Sequence, residues 1–419
     1  MTDIKELVKG IPNCPCGREH TCPTEAVEIG SGVLPKIVDL CAGYDHILLV
    51  ADQNTYQACG EDVEKLLGAK VADKVVYQTG EKPLIPNEEA LATLEAAVTD
   101  QIQLIVGVGS GVINDLCKQV SFVKDLPYYI VATAPSMDGY ASVGAALILK
   151  GMKVTLITRP PKAVIADTRV LKSAPLEMIQ SGVGDILGKH SCLNDWKLSA
   201  LVRGEYFCQK VYDLIYEAVE TVDALTEATV NREEAALGAL MEALVAVGFE
   251  MCYVGNSRPT SGSEHHMSHY FEITGILDDA PYFCHGIDVI YSAVVTAAIR
   301  EKVLATPAPK KFSHDAAAWE AEMKRIYTTS ADEVIKLQQK MGWYVIDNYQ
   351  HICEQWDAIQ KLIAEAPGEA KMLEMVKRIG LDYQDFLKLY GQKKIDDAIL
   401  YAKDLKDRYS VLWLAYMYC

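Results

Sequence analysis

The sequence predicts an α/β nucleotide-binding domain built on a parallel sheet, followed by an all-α domain. Three observations predict it. Short apolar runs alternate with helical patterns through the first 170 residues. A glycine segment, Gly107-Val108-Gly109-Ser110-Gly111, closes one such run and opens a helix. Past Pro175 the β signal stops and only helical periodicity is left. With 419 residues there is room for two domains, since single cores rarely outgrow about 300 residues. The boundary is expected at residue 172, giving an α/β domain over 1–172 and a helical one over 173–419.

The elements follow in order. His46–Asp52 (HILLVAD) is a strand ending in an acid, and a helix-like stretch continues through Leu67. Val71–Gln78 repeats the strand signal and Asn87–Thr99 the helix. Gln103–Val108 is a third strand, leading into the glycines and a helix over Val112–Val123; Tyr128–Ala132 is the fourth. Strands alternating with helices imply parallel pairing through right-handed crossovers. Ala145–Leu149 and Lys153–Thr158 read as an antiparallel ribbon turning at Gly151. Helical patterns then cover Asp185–Val202, Gln209–Leu225, Arg232–Tyr253, Ile287–Leu304, Ala316–Lys340 and Trp343–Ala364. The tail beyond about residue 310 carries no recognisable motif.

Composition narrows the function. Forty Lys+Arg against 57 Asp+Glu leave a net charge of −17, the wrong sign for displacing counterions from phosphates, so nucleic acid is excluded as a partner. Acids in Met1–Gly10 argue against a signal peptide. Glu242 and Glu250 interrupt the apolar stretch Ala235–Gly255, which reads as a buried helix and not a membrane span. Twelve cysteines are too sparse for a disulfide scaffold, and several lie among apolar residues, so a reducing, cytoplasmic setting is expected. Cys14, Cys16, His20 and Cys22 crowd into CPCGREHTC. Four soft ligands could hold zinc, yet the spacing matches no finger pattern and the segment reads first as an ordinary thiol-bearing loop.

GVGSGVIND has the context in which backbone N–H groups and a helix N-terminus bind pyrophosphate, although it follows the third strand instead of the first. Asp52 could accept hydrogen bonds from a ribose diol; alone, an acid at a strand end is more often a helix cap. Four of the nine histidines fall within His265–His285. If a helix starts at Glu264, His265 and His269 share one face, and His266 points roughly 100° away as a bystander. His285 opens the next helix, and Asp185, after Gly182 and Gly184, is also expected at a helix start. One carboxylate and two imidazoles suit a catalytic divalent ion with an open position.

GSGVIND, TAPSMDGYAS (Thr133–Ser142), GVGDILGK (Gly182–Lys189), SGSEHHMSH (Ser261–His269) and His285-Gly286 together resemble the sn-glycerol-1-phosphate dehydrogenases. These belong to the superfamily of dehydroquinate synthase and iron-containing alcohol dehydrogenases. The resemblance covers roughly residues 35–305. It implies that Asp52, Gly111, Val112, Ile113, Asn114 and Asp115 contact NAD(P), with Thr133, Ser136 and Ser142 beside the same cofactor. It implies metal ligation by Asp185, His265 and His285, with zinc or nickel expected and iron a further option. Asp138, Asp185 and His269 would contact substrate, Asp185 and His269 also serving catalysis. Lys189 and Arg258 are candidates for a substrate phosphate by charge and position.

The implied reaction is reversible NAD(P)H-linked reduction of dihydroxyacetone phosphate to sn-glycerol 1-phosphate, a phospholipid precursor. The nicotinamide transfers hydride and the metal acts as Lewis acid. His269, or a water beside the metal, would relay the proton. A homodimer is the default assembly. The alternatives are a glycerol or other alcohol dehydrogenase of the superfamily, and a non-catalytic nucleotide-binding protein, which would be expected to break the Asp185, His265, His285 set. Dehydroquinate synthase itself would need further basic residues that the motif positions lack.

Overall fold

The computed structural model describes residues 2–80, 84–149 and 152–419. Eight strands are present among them: β1 (Ala26–Gly30), β2 (Ile47–Asp52), β3 (Val71–Tyr77), β4 (Leu104–Gly109), β5 (Tyr128–Ala132), β6 (Gly144–Leu149), β7 (Met152–Ile157) and β8 (Ala163–Asp167). The main helices run, in chain order, as α1 (Glu88–Ala97), α2 (Gly111–Val123), α3 (Leu176–Leu187), α4 (Lys189–Arg203), α5 (Gln209–Ala224), α6 (Glu234–Val254), α7 (Ser263–Asp278) and α8 (His285–Ala305). Six more complete the tail: α9 (Ala316–Tyr327), α10 (Ala331–Met341), α11 (Tyr349–Ile363), α12 (Glu369–Arg378), α13 (Tyr383–Tyr401) and α14 (Val411–Tyr418). An α/β N-terminal region thus precedes an all-helical one. By packing, the chain forms two compact units, Met1–Ile186 with Asp213–Ser257, and Leu187–Tyr212 with Arg258–Cys419, a partition that differs from a cut at residue 172.

In the first unit, six strands form one sheet in the order β1-β8-β5-β4-β2-β3, every neighbouring pair parallel. Strands β4, β5 and β8 are buried at every residue, and β2 at all but its last. Unbroken apolar runs such as ILLVA are what a parallel sheet covered on both faces selects. Strands β6 and β7 pair antiparallel, Gly144 opposite Ile157 through Leu149 opposite Met152. The turn expected at Gly151 lies outside the described residues. Helix α6 is apolar enough and long enough to cross a membrane, but 72% of that window is buried in the protein, and being apolar all round suits a core helix.

In the second unit, Asp195 on α4 is a buried junction. Its Oδ2 accepts from Ser263 N at the start of α7 (2.7 Å) and its Oδ1 from Val411 N at the start of α14 (2.8 Å). The carboxylate thereby satisfies first-turn donors of two helices, and buried Arg300 stands 3.3 Å away as counter-charge. The tail has its own core, where buried Lys403 pairs with Asp404 at 3.1 Å and sits 3.7 Å from the centre of the Tyr416 ring.

The observed elements depart from the expected ones. Asp185–Val202 is not one helix, because α3 ends at Leu187 and α4 starts at Lys189 with Gly188 between them. Ala316–Lys340 splits at Thr328, whose φ of 42° cannot continue a helix. Strands β1 and β8 went unanticipated.

Candidate active site

The first unit carries the nucleotide-type cradle. The three strands β2, β4 and β5 end at Asp52, Gly109 and Ala132, side by side in the sheet. Ligands of open α/β sheets bind beyond these carboxyl ends. Helix α2 begins immediately after β4, with Ser110 as its N-cap, and that cap makes no side-chain bond to the helix. Ser110 Oγ instead lies 2.5 Å from Ser136 Oγ and 3.2 Å from Tyr140 Oη, whose own proton goes to Ala134 O. First-turn N–H groups of a 13-residue helix, uncapped by a side chain, are donors of the kind that can bind an anion.

Gly109 has a packing reason: a Cβ there would stand 2.6 Å from Ile113, so α2 could not lie against β4. Of the expected cofactor residues, Gly111 and Val112 line the open first turn, while Ile113 and Asn114 face inward, 1% and 0% exposed. Asn114 Nδ2 donates to Gly139 O at 3.2 Å. Thr133 N donates to Gly109 O, continuing the sheet into the loop of Ser136.

Asp52 is a helix cap. Its Oδ1 accepts from Asn54 N and Thr55 N at 2.8 and 2.9 Å, and Thr55 Oγ1 accepts from Asp52 N in return, a capping box.

Sequence reasoning missed Lys118. Its ammonium is fully buried and donates to Gly139 O (2.8 Å), Ser142 Oγ (3.1 Å) and Gly144 O (2.8 Å), with Asp115 Oδ1 3.7 Å away. It ties the loop that carries Asp138 to α2, and it makes Ser142 part of that framework. Burial pushes Asp115 up to about 6, against the pull of Lys118. Burial also lowers Lys118, against the pull of Asp115. A lone Lys within the apolar face of Val112–Val123 was the available signal.

Asp185 is fully buried in the last turn of α3, at a helix end and not the expected helix start. It is nevertheless precisely placed against the loop: its Oδ2 accepts from Asp138 N at 3.0 Å. Gly182, one turn earlier, permits this approach, since a Cβ there would stand 1.9 Å from Pro135 O. Ser181 Oγ donates to Ser136 O at 3.0 Å, so α3 meets the loop at two further points of its backbone.

The second unit holds an imidazole cluster. Ring centroids of His265 and His285 lie 5.2 Å apart, His269 and His285 5.6 Å, and His265 and His269 6.0 Å. The expected i, i+4 face therefore exists on α7, and the first residue of α8 meets it. Glu264 was missed. Its Oε1 lies 2.6 Å from His265 Nδ1 and accepts from Gly262 N at 2.9 Å. Burial raises its carboxyl, but the bonds to His265 and Gly262 outweigh that and hold it below the ordinary range. An anion there keeps the proton on Nδ1 and leaves the Nε2 lone pair for a metal, the usual carboxylate–histidine relation. The residues fit a divalent ion on that ground.

His266 is fully buried, and burial first, then Arg408, Lys406 and Arg258, push it well below its usual range. Arg258 is corrected as a phosphate candidate: its Nε binds both oxygens of Glu205 (3.1 and 2.9 Å), and Nη2 donates to Asp195 O and Tyr409 O. Lys189 is fully buried on α4.

Residues 28–175 match the family described as iron-containing alcohol dehydrogenase. An iron-containing alcohol dehydrogenase of Corynebacterium glutamicum superposes with a TM-score of 0.62 at 16% identity, covering 95% of each chain. The fold is thus the one seen in iron-containing alcohol dehydrogenases. A glycerol-1-phosphate dehydrogenase (NAD(P)+) of Halalkalibacterium halodurans is 32% identical over 302 residues, 71% of this chain and 76% of that one. One of Bacillus licheniformis is 28% identical over 433 aligned positions, covering 100% of this chain and 96% of that one. The chain belongs to the glycerol-1-phosphate dehydrogenase family.

Proposed function

We propose that this protein reduces dihydroxyacetone phosphate to sn-glycerol 1-phosphate with NADH or NADPH, reversibly, using one divalent metal ion. The observation that carries the reading is the pairing of Glu264 with His265 beside His285, in a chain of this family. When bound, the nicotinamide supplies hydride and the metal, zinc or nickel, supplies Lewis acidity at the substrate carbonyl.

The chain's residues divide the remaining work. Asp185, His265 and His285 hold the metal. Glu264 fixes the His265 tautomer through Nδ1. The first turn of α2, Gly111 to Asp115, receives the cofactor pyrophosphate, with Thr133, Ser136 and Ser142 shaping the adjoining loop. Asp52 keeps Oδ2 for the adenosine ribose while Oδ1 caps its helix. Asp138 orients substrate, and its N–H fixes Asp185. His269 binds substrate and passes a proton to the C2 oxygen from a ring nitrogen. In this division residues 1–172 serve the cofactor, apart from Asp138, and residues 173–419 bring metal ligands and His269. We further place the enzyme in the cytoplasm as a homodimer feeding phospholipid synthesis, as the family resemblance implies.

The experiment is a comparison of dihydroxyacetone phosphate with unphosphorylated dihydroxyacetone, and of sn-glycerol 1-phosphate with glycerol, using both cofactors. The phosphorylated partner of each pair should have a kcat/KM at least about 100-fold higher. Equal use would assign the chain to general alcohol oxidation instead.

A further inference from the structure

The CPCGREHTC segment is organised by the fold around a different set of atoms from the one its sequence suggests. Ile11 and His20 form an antiparallel bridge, with Ile11 N donating to His20 O at 2.8 Å and His20 N to Ile11 O at 3.2 Å. Between them the chain turns tightly, Gly17 N donating to Cys14 O at 2.9 Å. Gly10 (φ +77°) makes the closure possible, since a Cβ there would stand 2.2 Å from His20 O. The ligand atoms of Cys14, Cys16 and His20 all lie within 4.8 Å of one another.

His20 is fully buried and Cys14 is 6% exposed. His20 Nδ1 lies 2.9 Å from Tyr253 O, the carbonyl of a residue near the end of α6. A carbonyl can only accept, so Nδ1 carries the proton. The Nε2 lone pair then faces Cys16 Sγ, 3.3 Å away. A backbone carbonyl that fixes the ring and its tautomer is the usual second partner of a metal-bound histidine. Cys22 leaves the group, its Sγ donating to Thr24 Oγ1 at 3.6 Å.

We propose that Cys14, Cys16 and His20 bind a structural zinc ion, separate from the Asp185, His265, His285 set. Soft sulfur and imidazole donors, two of the three buried beneath a surface loop, select a borderline-soft, tetrahedral cation such as zinc over magnesium or calcium. The ion staples the Gly10–Thr21 loop, and through the Tyr253 carbonyl fixes it to α6. Two thiols release their protons on binding, so the site forms from neutral pH upward.

Cobalt added to the metal-free full-length protein tests this without reference to turnover. An Asp/His₂ site has no sulfur, so a sulfur-to-cobalt charge-transfer band in the near ultraviolet reports the loop alone. The expected result is a band in the wild type, kept in Cys22→Ser and weakened several-fold in Cys16→Ser and in His20→Asn. Zinc content should fall by one ion per chain in the same two variants, with activity toward dihydroxyacetone phosphate retained in Cys16→Ser. Cys16 is partly exposed, so its replacement by Ser leaves the core intact. A wild-type protein without the band, or a Cys16→Ser protein with undiminished band and zinc, would overturn the proposal.

Discussion

Glu264 Oε1 lies 2.6 Å from His265 Nδ1, and the carboxylate has no solvent exposure. The ring is therefore aimed before any metal arrives. Glu264→Gln keeps volume but removes the anion that holds the Nδ1 proton. Metal affinity should fall about 10- to 100-fold, the usual effect of losing such a partner. Competition with a chelator of known affinity measures it. A loss under threefold would mean that His265 needs no orienting group.

Three neighbouring histidines should respond differently. His265→Ala should release the active-site metal, since an Asp/His pair binds a divalent ion weakly. His269→Ala should keep the metal and lose most turnover. His266→Ala should keep both, but burial makes it cost about 1–3 kcal/mol of stability. Metal analysis and denaturation of the three purified variants read these outcomes. Metal loss from His266→Ala would overturn the helical register.

Lys118 should matter for stability in a pH-dependent way. Lys118→Met removes three donor contacts and the cation 3.7 Å from Asp115, a loss of about 3 kcal/mol at pH 8. The carboxyl of Asp115 titrates near 6 when folded and near 3.8 when unfolded, so its favourable contribution is complete below 3.8 and lost as pH rises through 6. The penalty of the mutation should accordingly shrink between pH 8 and pH 5. Urea denaturation at both values tests this, and an equal penalty would show that Asp115 is neutral throughout.

Asp52 has two assignments that one variant separates. As a cap, its replacement by Ala should cost about 1 kcal/mol of stability. As a ribose partner, its carboxylate favours a free 2′-hydroxyl and repels a 2′-phosphate. Asp52→Ala should then weaken NADH binding more than NADPH binding. Equal losses for both cofactors would leave Asp52 as a cap alone.

What could be read from the sequence was local. The i, i+4 spacing of His265 and His269 fixes a shared helical face wherever the helix packs. Tyr128–Ala132 is apolar, β-rich and bounded by turn residues, and it forms a strand over those same residues. Non-local arrangements were hidden. Ala26–Gly30 and Ala163–Asp167 are five residues each, too short for periodicity, and become strands by pairing with each other across more than 130 positions. The glycines before Asp185 look like a helix start, whereas Gly182 serves the close passage of Pro135 O at a helix end. Lys118 earns its place from acceptors at Gly139, Ser142 and Gly144, which only the folded loop gathers. Glu264 stands in the first turn of its helix, where acids are common, and only the fold sets its carboxylate against the His265 ring.

The most direct measurement is dihydroxyacetone-phosphate-dependent oxidation of NADH by protein stripped with a chelator, then reconstituted with zinc or nickel. The stripped protein should show no turnover, activity should recover on adding one of the two ions, and the product should be sn-glycerol 1-phosphate. Full turnover by the stripped protein, or the opposite enantiomer as product, would contradict the proposed function.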